Sequence, residues 1–274
     1  MKTKQTSIAI INDVSGYGRC SITVALPILS AMKVSCGIVP TAILSNQTEY
    51  DRYTMLDFTP HMNEYIAAWQ QLHFSFDGLY TGFLGSSEQI TIIKQMIHDF
   101  SFEQIIVDPV MGDHGILYDS YTKSMCQAMR ELVRHATVIT PNLTELCILT
   151  NQTYQPDFTD DTIRNMCEQL TKEEEKTIIV TGIERDDQIG NALYENGSYS
   201  IFFEDKICPL RPGTGDVFAS IISGCVLSHI PMKEAIPIAA NFIKQCLITS
   251  KEMDIPINAG VCFEEHLNLL TALN

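Results

Sequence analysis

The segment Arg211-Pro-Gly-Thr-Gly-Asp216 gathers residue types that handle phosphate. Gly213 and Gly215 let the backbone turn tightly and present free N–H groups, and the apolar run Val217–Leu227 continues as a helix. Such a helix start offers an anion both unpaired amides and the positive end of the helix dipole. Asp216 stands beside it, where a hydroxyl attacking a phosphate needs a proton acceptor. Asp and Gly also favour plain helix N-caps, so these residues alone read equally well as an anion hole or a cap.

Two further loops carry related chemistry. Asp108-Pro-Val-Met-Gly-Asp-His-Gly115 sets two acids and two glycines on one loop. They suit a metal ion or a phosphate-bearing ligand, or simply a solvated turn. Thr140-Pro-Asn-Leu-Thr-Glu145 opens a helix that Asn142 can cap, with Glu145 three residues on completing a capping box. The alternative for Glu145 is a water-mediated hold on Mg2+. His114 has no partner at ligand spacing, and Phe83, Trp69 and Tyr118 read by default as core or rim residues.

Something must position these loops, and the chain supplies alternating strands and helices. Strands are expected at Ser7–Ile11, Val34–Pro40, Asp77–Thr81, Gln104–Val107, Thr137–Thr140 and Thr177–Thr181, the last ending at Gly182. Helices are expected at Ser21–Met32, Pro60–Leu72, Ser86–Asp99, Asp119–Val133, Thr159–Leu170, Thr214–His229 and Met232–Ser250. This rhythm implies an α/β fold with a mostly parallel sheet covered by helices on both faces. One break in the rhythm, Gly190–Tyr194 and Ser198–Glu204 around Asn196-Gly197, predicts a small antiparallel hairpin. Ligands of such sheets bind at the carboxyl ends of the strands, where Asn12, Thr81, Asp108, Thr140, Asn142, Thr181 and Gly182 stand.

Composition bounds the rest. The 274 residues, 45% hydrophobic and 19% charged, suit one α/β domain over 1–274 with no linker or internal repeat. A net charge of −15 argues against a nucleic-acid partner, which would demand a basic surface. The nine cysteines form no CxxC pair and mostly sit in apolar runs, as small core residues do. With no signal-like start and no membrane-length apolar run, a cytoplasmic protein with reduced thiols is expected.

Five motifs in order carry a resemblance: Ser45-Asn-Gln-Thr-Glu-Tyr50, Thr81-Gly-Phe-Leu-Gly85, Asp108-Pro-Val-Met-Gly-Asp113, Thr140-Pro-Asn-Leu-Thr-Glu145 and Gly213-Thr-Gly-Asp216. From Ile8 to about Ser250 the chain resembles the ribokinase-like superfamily, and within it the branch of pyridoxal kinases and hydroxymethylpyrimidine kinases. The last three motifs are highly specific together, and the first two point to the B6 branch. The early stretch Asn12-Asp-Val-Ser-Gly-Tyr-Gly18 looks more like the hydroxymethylpyrimidine branch.

The resemblance implies ATP-dependent phosphorylation of the 5'-hydroxymethyl group of pyridoxal, pyridoxine or pyridoxamine. Asp216 would be the base and the amides of Gly213, Thr214 and Gly215 the hole for the transferring phosphoryl. Asp108, Tyr118, Asn142, Thr181 and Gly182 match positions around the nucleotide. Asp113, Thr140 and Glu145 match positions near the cations, and Asn12, Thr48 and Phe83 match positions around the ring. Asn12 replaces the more usual Ser and Phe83 the more usual Tyr. ATP with Mg2+ and a homodimer follow from the same likeness, which leaves a monovalent cation (K+) requirement open. The competing readings are a hydroxymethylpyrimidine kinase, a sugar kinase of the same superfamily, and a vitamer-binding protein that has lost catalysis.

Overall fold

The computed structural model describes residues 4–273. Strand β1 (Ser7–Ser15) leads through helix α1 (Ile22–Ala31) to β2 (Ser35–Leu44), β3 (Met55–Asp57), α2 (Thr59–Gln71), β4 (Gly78–Thr81), α3 (Ser87–Asp99) and β5 (Gln104–Val107). A two-stranded hairpin of β6 (Gly112–Asp113) and β7 (Ile116–Leu117) precedes α4 (Lys123–Leu132), β8 (Val138–Ile139), α5 (Leu143–Thr150) and α6 (Asp160–Thr171). The antiparallel run β9 (Thr177–Arg185), β10 (Gln188–Glu195) and β11 (Ser198–Asp205) is followed by α7 (Thr214–Leu227), α8 (Met232–Glu252) and α9 (Asn268–Thr271).

The nine-stranded main sheet has the order β11-β10-β9-β8-β5-β4-β1-β2-β3. Its six central strands, β9 to β2, are parallel, and the antiparallel members lie at the two edges. Period-two alternation explains how one strand serves two cores. In β1, Ala9 and Ile11 pack with α2 to α6, whereas Ile8 and Ile10 pack with α1, α7 and α8. All four are fully buried. Six of the nine cysteines are buried, among them Cys126, Cys147 and Cys167. Among the described residues no helix is long and apolar enough to cross a membrane.

The structure departs from the sequence pattern in several places. Strands β1 and β2 run on to Ser15 and Leu44, past the ends expected at Ile11 and Pro40. The strand expected to stop at Gly182 continues to Arg185, because Gly182 takes a positive φ of 70° and the register of β9 with β10 shifts there. Helix α4 starts at Lys123 rather than near Asp119, since Thr122 adopts extended backbone and its hydroxyl accepts the Met125 amide. The edge strand β3 and the β6–β7 hairpin were not foreseen.

Candidate active site

The parallel strands end in one row. The Gly82 amide bonds Ile11 O, Asp108 N bonds Thr81 O, Thr140 N bonds Val107 O, and Thr181 N bonds Pro141 O. Each apolar strand therefore hands its ladder on to a polar cap, and the caps share the carboxyl rim of the sheet.

Helix α7 aims its first turn at this rim. Its N-cap, Gly213, sits at φ 81° and brings no side chain to bond the first amides. A Cβ at Gly213 would lie 2.0 Å from Arg19 O, so only glycine fits. A Cβ at Gly215 would meet nothing within 4 Å, which leaves open space above the amides. The unpaired N–H groups and the helix dipole make that space attractive to an anion.

Asp216 is the third residue of the helix. Asn12, fully buried in β1 one residue past its last pairing with β4, donates Nδ2–H to Asp216 Oδ1 at 3.4 Å. Asn12 Oδ1 accepts the Phe83 amide at 2.9 Å and the Asp13 amide at 3.0 Å, which fixes the direction of its Nδ2. Gly82 must be glycine here, because a Cβ would stand 2.3 Å from Asn12 Nδ2. Burial pushes the Asp216 carboxyl up to about 6, helped by the charge of Asp13 and resisted by the Ser21 amide and Asn12. Asp13 itself is buried and accepts hydrogen bonds from Ser21 Oγ at 2.5 Å and Ser15 Oγ at 2.9 Å. Cys20 lies in the same field, with burial and the Asp216 charge pushing its thiol up to about 12.

A second group of acids faces Asp216 across the rim. Asp108 is buried, and burial followed by the charges of Glu145 and Asp216 drives its carboxyl far above the carboxylate range. The buried Thr140 hydroxyl lies beside it, close enough to offset part of that rise. Glu145 completes the expected capping box: its Oε2 accepts the Asn142 amide at 2.8 Å while Asn142 Oδ1 accepts the Glu145 amide at 3.0 Å. Its other oxygen accepts the Met111 amide at 3.0 Å. Burial, with some help from Asp113, still raises Glu145 to about 7. The cap and the acid cluster are thus one feature.

The β6–β7 hairpin rises beside these acids. Asn142 Nδ2 donates to Gly112 O at 2.8 Å, and the Gly115 amide bonds Thr144 Oγ1 at 2.8 Å, so α5 anchors it. Asp113 is exposed and bonds its own neighbour, the His114 amide. Burial and the charges of Glu145, Asp113, Asp108 and Asp216 raise the Tyr118 phenol. Thr181 and Gly182 stand next to Asn142, which bridges to Thr181. Gly182 is exposed, with nothing within 4 Å of a Cβ.

Thr48 lies exposed on the loop between β2 and β3 and joins none of these hydrogen bonds. That loop is tied to the turn after β1 by Gln47 N to Tyr17 O at 2.9 Å. An open hollow of about 490 Å³ on the loop, lined by residues including Tyr17, Tyr50, Asp51 and Arg52, lies apart from Asp108, Glu145 and Asp216, none of which lines it. Sequence reasoning missed the Ser21 amide on Asp216 and the Asn12–Asp216 bond. Neither had a local signal, because both join segments some two hundred residues apart.

Comparisons with known proteins bear on the family and the fold. The family model described as phosphomethylpyrimidine kinase matches residues 25–260. A pyridoxine/pyridoxal/pyridoxamine kinase of Bordetella avium is 26% identical over 259 residues, covering 87% of this chain and 83% of that protein. A candidate phosphomethylpyrimidine kinase of Bacteroides thetaiotaomicron, whose crystals contain pyridoxal, is 36% identical with a TM-score of 0.93, covering 97% and 96% of the two chains. The pyridoxal kinase of Lactobacillus plantarum has 27% identity and a TM-score of 0.93, with coverage of 99% and 98%. These relatives are small-molecule kinases with the ribokinase-like fold expected from the motifs, and the chain belongs to the phosphomethylpyrimidine kinase family.

Proposed function

We propose that this chain transfers the γ-phosphoryl group of ATP to the 5'-hydroxymethyl oxygen of a B6 vitamer, giving the 5'-phosphate and ADP. The observation that carries the reading is Asp216, poised near 6 at the open amides of α7 and held by Asn12. Above that pH its carboxylate can take the hydroxymethyl proton as the oxygen attacks phosphorus and the bond to the ADP oxygen breaks. The amides of Gly213, Thr214 and Gly215 receive the charge on the transferring group, and in phosphoryl transfer such positioning supplies most of the catalysis.

The vitamer ring would lie between Asn12, Phe83 and the loop carrying Thr48. The nucleotide would lie along Asp108, Asn142, Thr181 and Gly182, under Tyr118. The acid cluster suits Mg2+: the charges of Asp108 and Glu145 repel each other at close quarters, with the buried Thr140 hydroxyl beside Asp108. Among the described residues no group of three acids, His or Cys could chelate an ion directly. Asp113, Thr140 and Glu145 would hold Mg2+ here mainly through water, since the ion sheds its hydration reluctantly. When bound it would neutralise phosphate charge.

A B6 vitamer is favoured by the relatives of B. avium and B. thetaiotaomicron. The family model's own description supports a second reading, a hydroxymethylpyrimidine kinase. The same base and anion hole serve either ring. Release of ADP is the test, with pyridoxal, pyridoxine, pyridoxamine, hydroxymethylpyrimidine and ribose as acceptors. Turnover of a vitamer at higher kcat/KM than hydroxymethylpyrimidine is expected. Preference for the pyrimidine would install the second reading, and turnover of none would reject both.

A further inference from the structure

Arg211 is buried, only 7% exposed, and none of the chemistry above uses it. Its guanidinium spends its donors on four backbone carbonyls. Nη1 donates to Pro256 O at 2.9 Å and Gly260 O at 3.2 Å, and Nη2 donates to Ile255 O at 2.8 Å and Ser250 O at 3.5 Å. Among the described residues it has no carboxylate partner. A buried charge without a counter-ion is costly, so a plain fastener at this place would be better served by a neutral donor. What the site does offer a cation is the carbonyl-rich end of α8, where the helix dipole is negative.

The placement of this cation is telling. Arg211 precedes the N-cap Gly213 by two residues, and its own carbonyl accepts the Thr214 hydroxyl at 3.3 Å. Gly213 and Gly260 both press against Arg19 O, within 2.0 and 3.0 Å of a Cβ at either position. Arg19 ties the same segment down from the other side, through Nη1 to Ala259 O at 3.2 Å and Nε to both oxygens of Glu264. The turn that presents the phosphoryl-binding amides thus abuts the Arg19 backbone, and the chain after α8 is clasped by the Arg19 and Arg211 guanidinium groups on either side of it.

We propose that Arg211 is a positioning residue for phosphoryl transfer, a tethered cation whose planar fork sets the angle at which Gly213–Gly215 offer their amides. The inference rests on the kinase reading. A fork fixed by four acceptors resists rotation in a way that a single-point ammonium does not. Amides held before charge develops on the phosphoryl group need no reorganisation as it develops. A tilt of the turn would leave both substrates bound and misalign the hole.

The test uses Arg211→Ala and Arg211→Lys in the full chain, with thermal melts to confirm folding at the assay temperature. In folded Arg211→Ala, kcat should fall about a hundredfold, the usual result of an ångström's misplacement, while KM for ATP and for the alcohol stays within about threefold. Guanidinium ion at tens of millimolar should restore at least about fivefold of that loss by refilling the carbonyl-lined hole, and leave wild type unchanged. Arg211→Lys should sit between the two. A folded Arg211→Ala within about threefold of wild-type kcat, or a loss confined to KM, would overturn the proposal. So would a defect indifferent to guanidinium. If Arg211→Ala does not fold, Arg211→Lys decides: a wild-type rate, or failure to fold as well, assigns Arg211 to folding alone. Wild-type turnover is measured first. Its absence from every acceptor rejects the kinase reading, whereas normal wild-type turnover with an unimpaired variant rejects only the role of Arg211.

Discussion

Asn12 and Asp216 lie 204 residues apart in the chain and meet at 3.4 Å, a buried amide of β1 bonded to the third residue of α7. Because Asn12 also holds the Phe83 amide, one side chain couples the base to the wall expected to contact the substrate. Chemistry and recognition therefore share a hinge point, and each can be probed through the other.

Asp216→Asn should lower kcat by about a hundredfold to ten-thousandfold, the usual cost of losing a general base, while ATP and vitamer still bind by calorimetry. A variant keeping more than roughly a tenth of wild-type kcat would remove Asp216 from the role, since a tenth is only ~1.4 kcal/mol of barrier. Stability should move the opposite way. Asp216 titrates near 6 in the fold against an ordinary 3.8, so the folded state holds an extra proton between those values and loses stability as pH rises through them. The Asn variant should therefore melt above wild type at pH 8, with the gap closing toward pH 4.

The wild-type profile follows from the same group. The base must be ionised, so kcat/KM should decline as pH falls through about 6. Asn12→Asp replaces a donor with a second carboxylate beside Asp216, which raises the Asp216 value further. Its acid limb should shift to higher pH. An unmoved limb would mean that some group other than Asp216 sets it.

The sequence disclosed the site in proportion to how local each signal is. Asn142 and Glu145 are three residues apart on one helix turn, and the capping box was readable directly. Asn12, Asp108 and Thr140 were legible as polar caps on apolar strands, because period-two burial makes a strand end visible. Strand β3 was not, since all three of its residues are exposed and carry no burial pattern. The continuation of β9 past Gly182 was hidden by a glycine that signals a stop, whereas the chain uses it as a bulge. The anchorage of Arg211 had no local signal, because the chain after α8 that folds over it lies 39 to 49 residues away in sequence.

Glu145 is raised to about 7 without a cation, so near neutral pH a share of it carries a proton. A divalent ion brought in with ATP favours the carboxylate and should expel that proton. Calorimetry of MgATP binding at pH 7 in buffers of different ionisation enthalpy should report net proton release, diminished in Glu145→Gln. The variant should also need more Mg2+ for half-maximal rate. A sharply lower melting temperature with no change in Mg2+ dependence or proton release would leave Glu145 as a helix cap only.

Residues 112–120 should act as a lid over the nucleotide. Gly115 and His114 both take positive φ at the tip of the β6–β7 hairpin, and α5 holds its base through Asn142 and Thr144. The outer arm is apolar and uncovered, with Ile116 72% and Leu117 37% exposed. Apolar groups on so small a hairpin gain little from solvent, and burying them against a nucleotide would favour the closed form. Closure over the phosphates would exclude water, which otherwise competes with the vitamer hydroxyl for the phosphoryl group. Hydrogen exchange at 112–120 should therefore slow when a non-hydrolysable ATP analogue binds. Ile116→Ser should raise KM for ATP several-fold, and shortening the hairpin should increase ATP hydrolysis without acceptor. Equal exchange in both states, together with unchanged hydrolysis after shortening, would reduce the hairpin to a connector between β5 and α4.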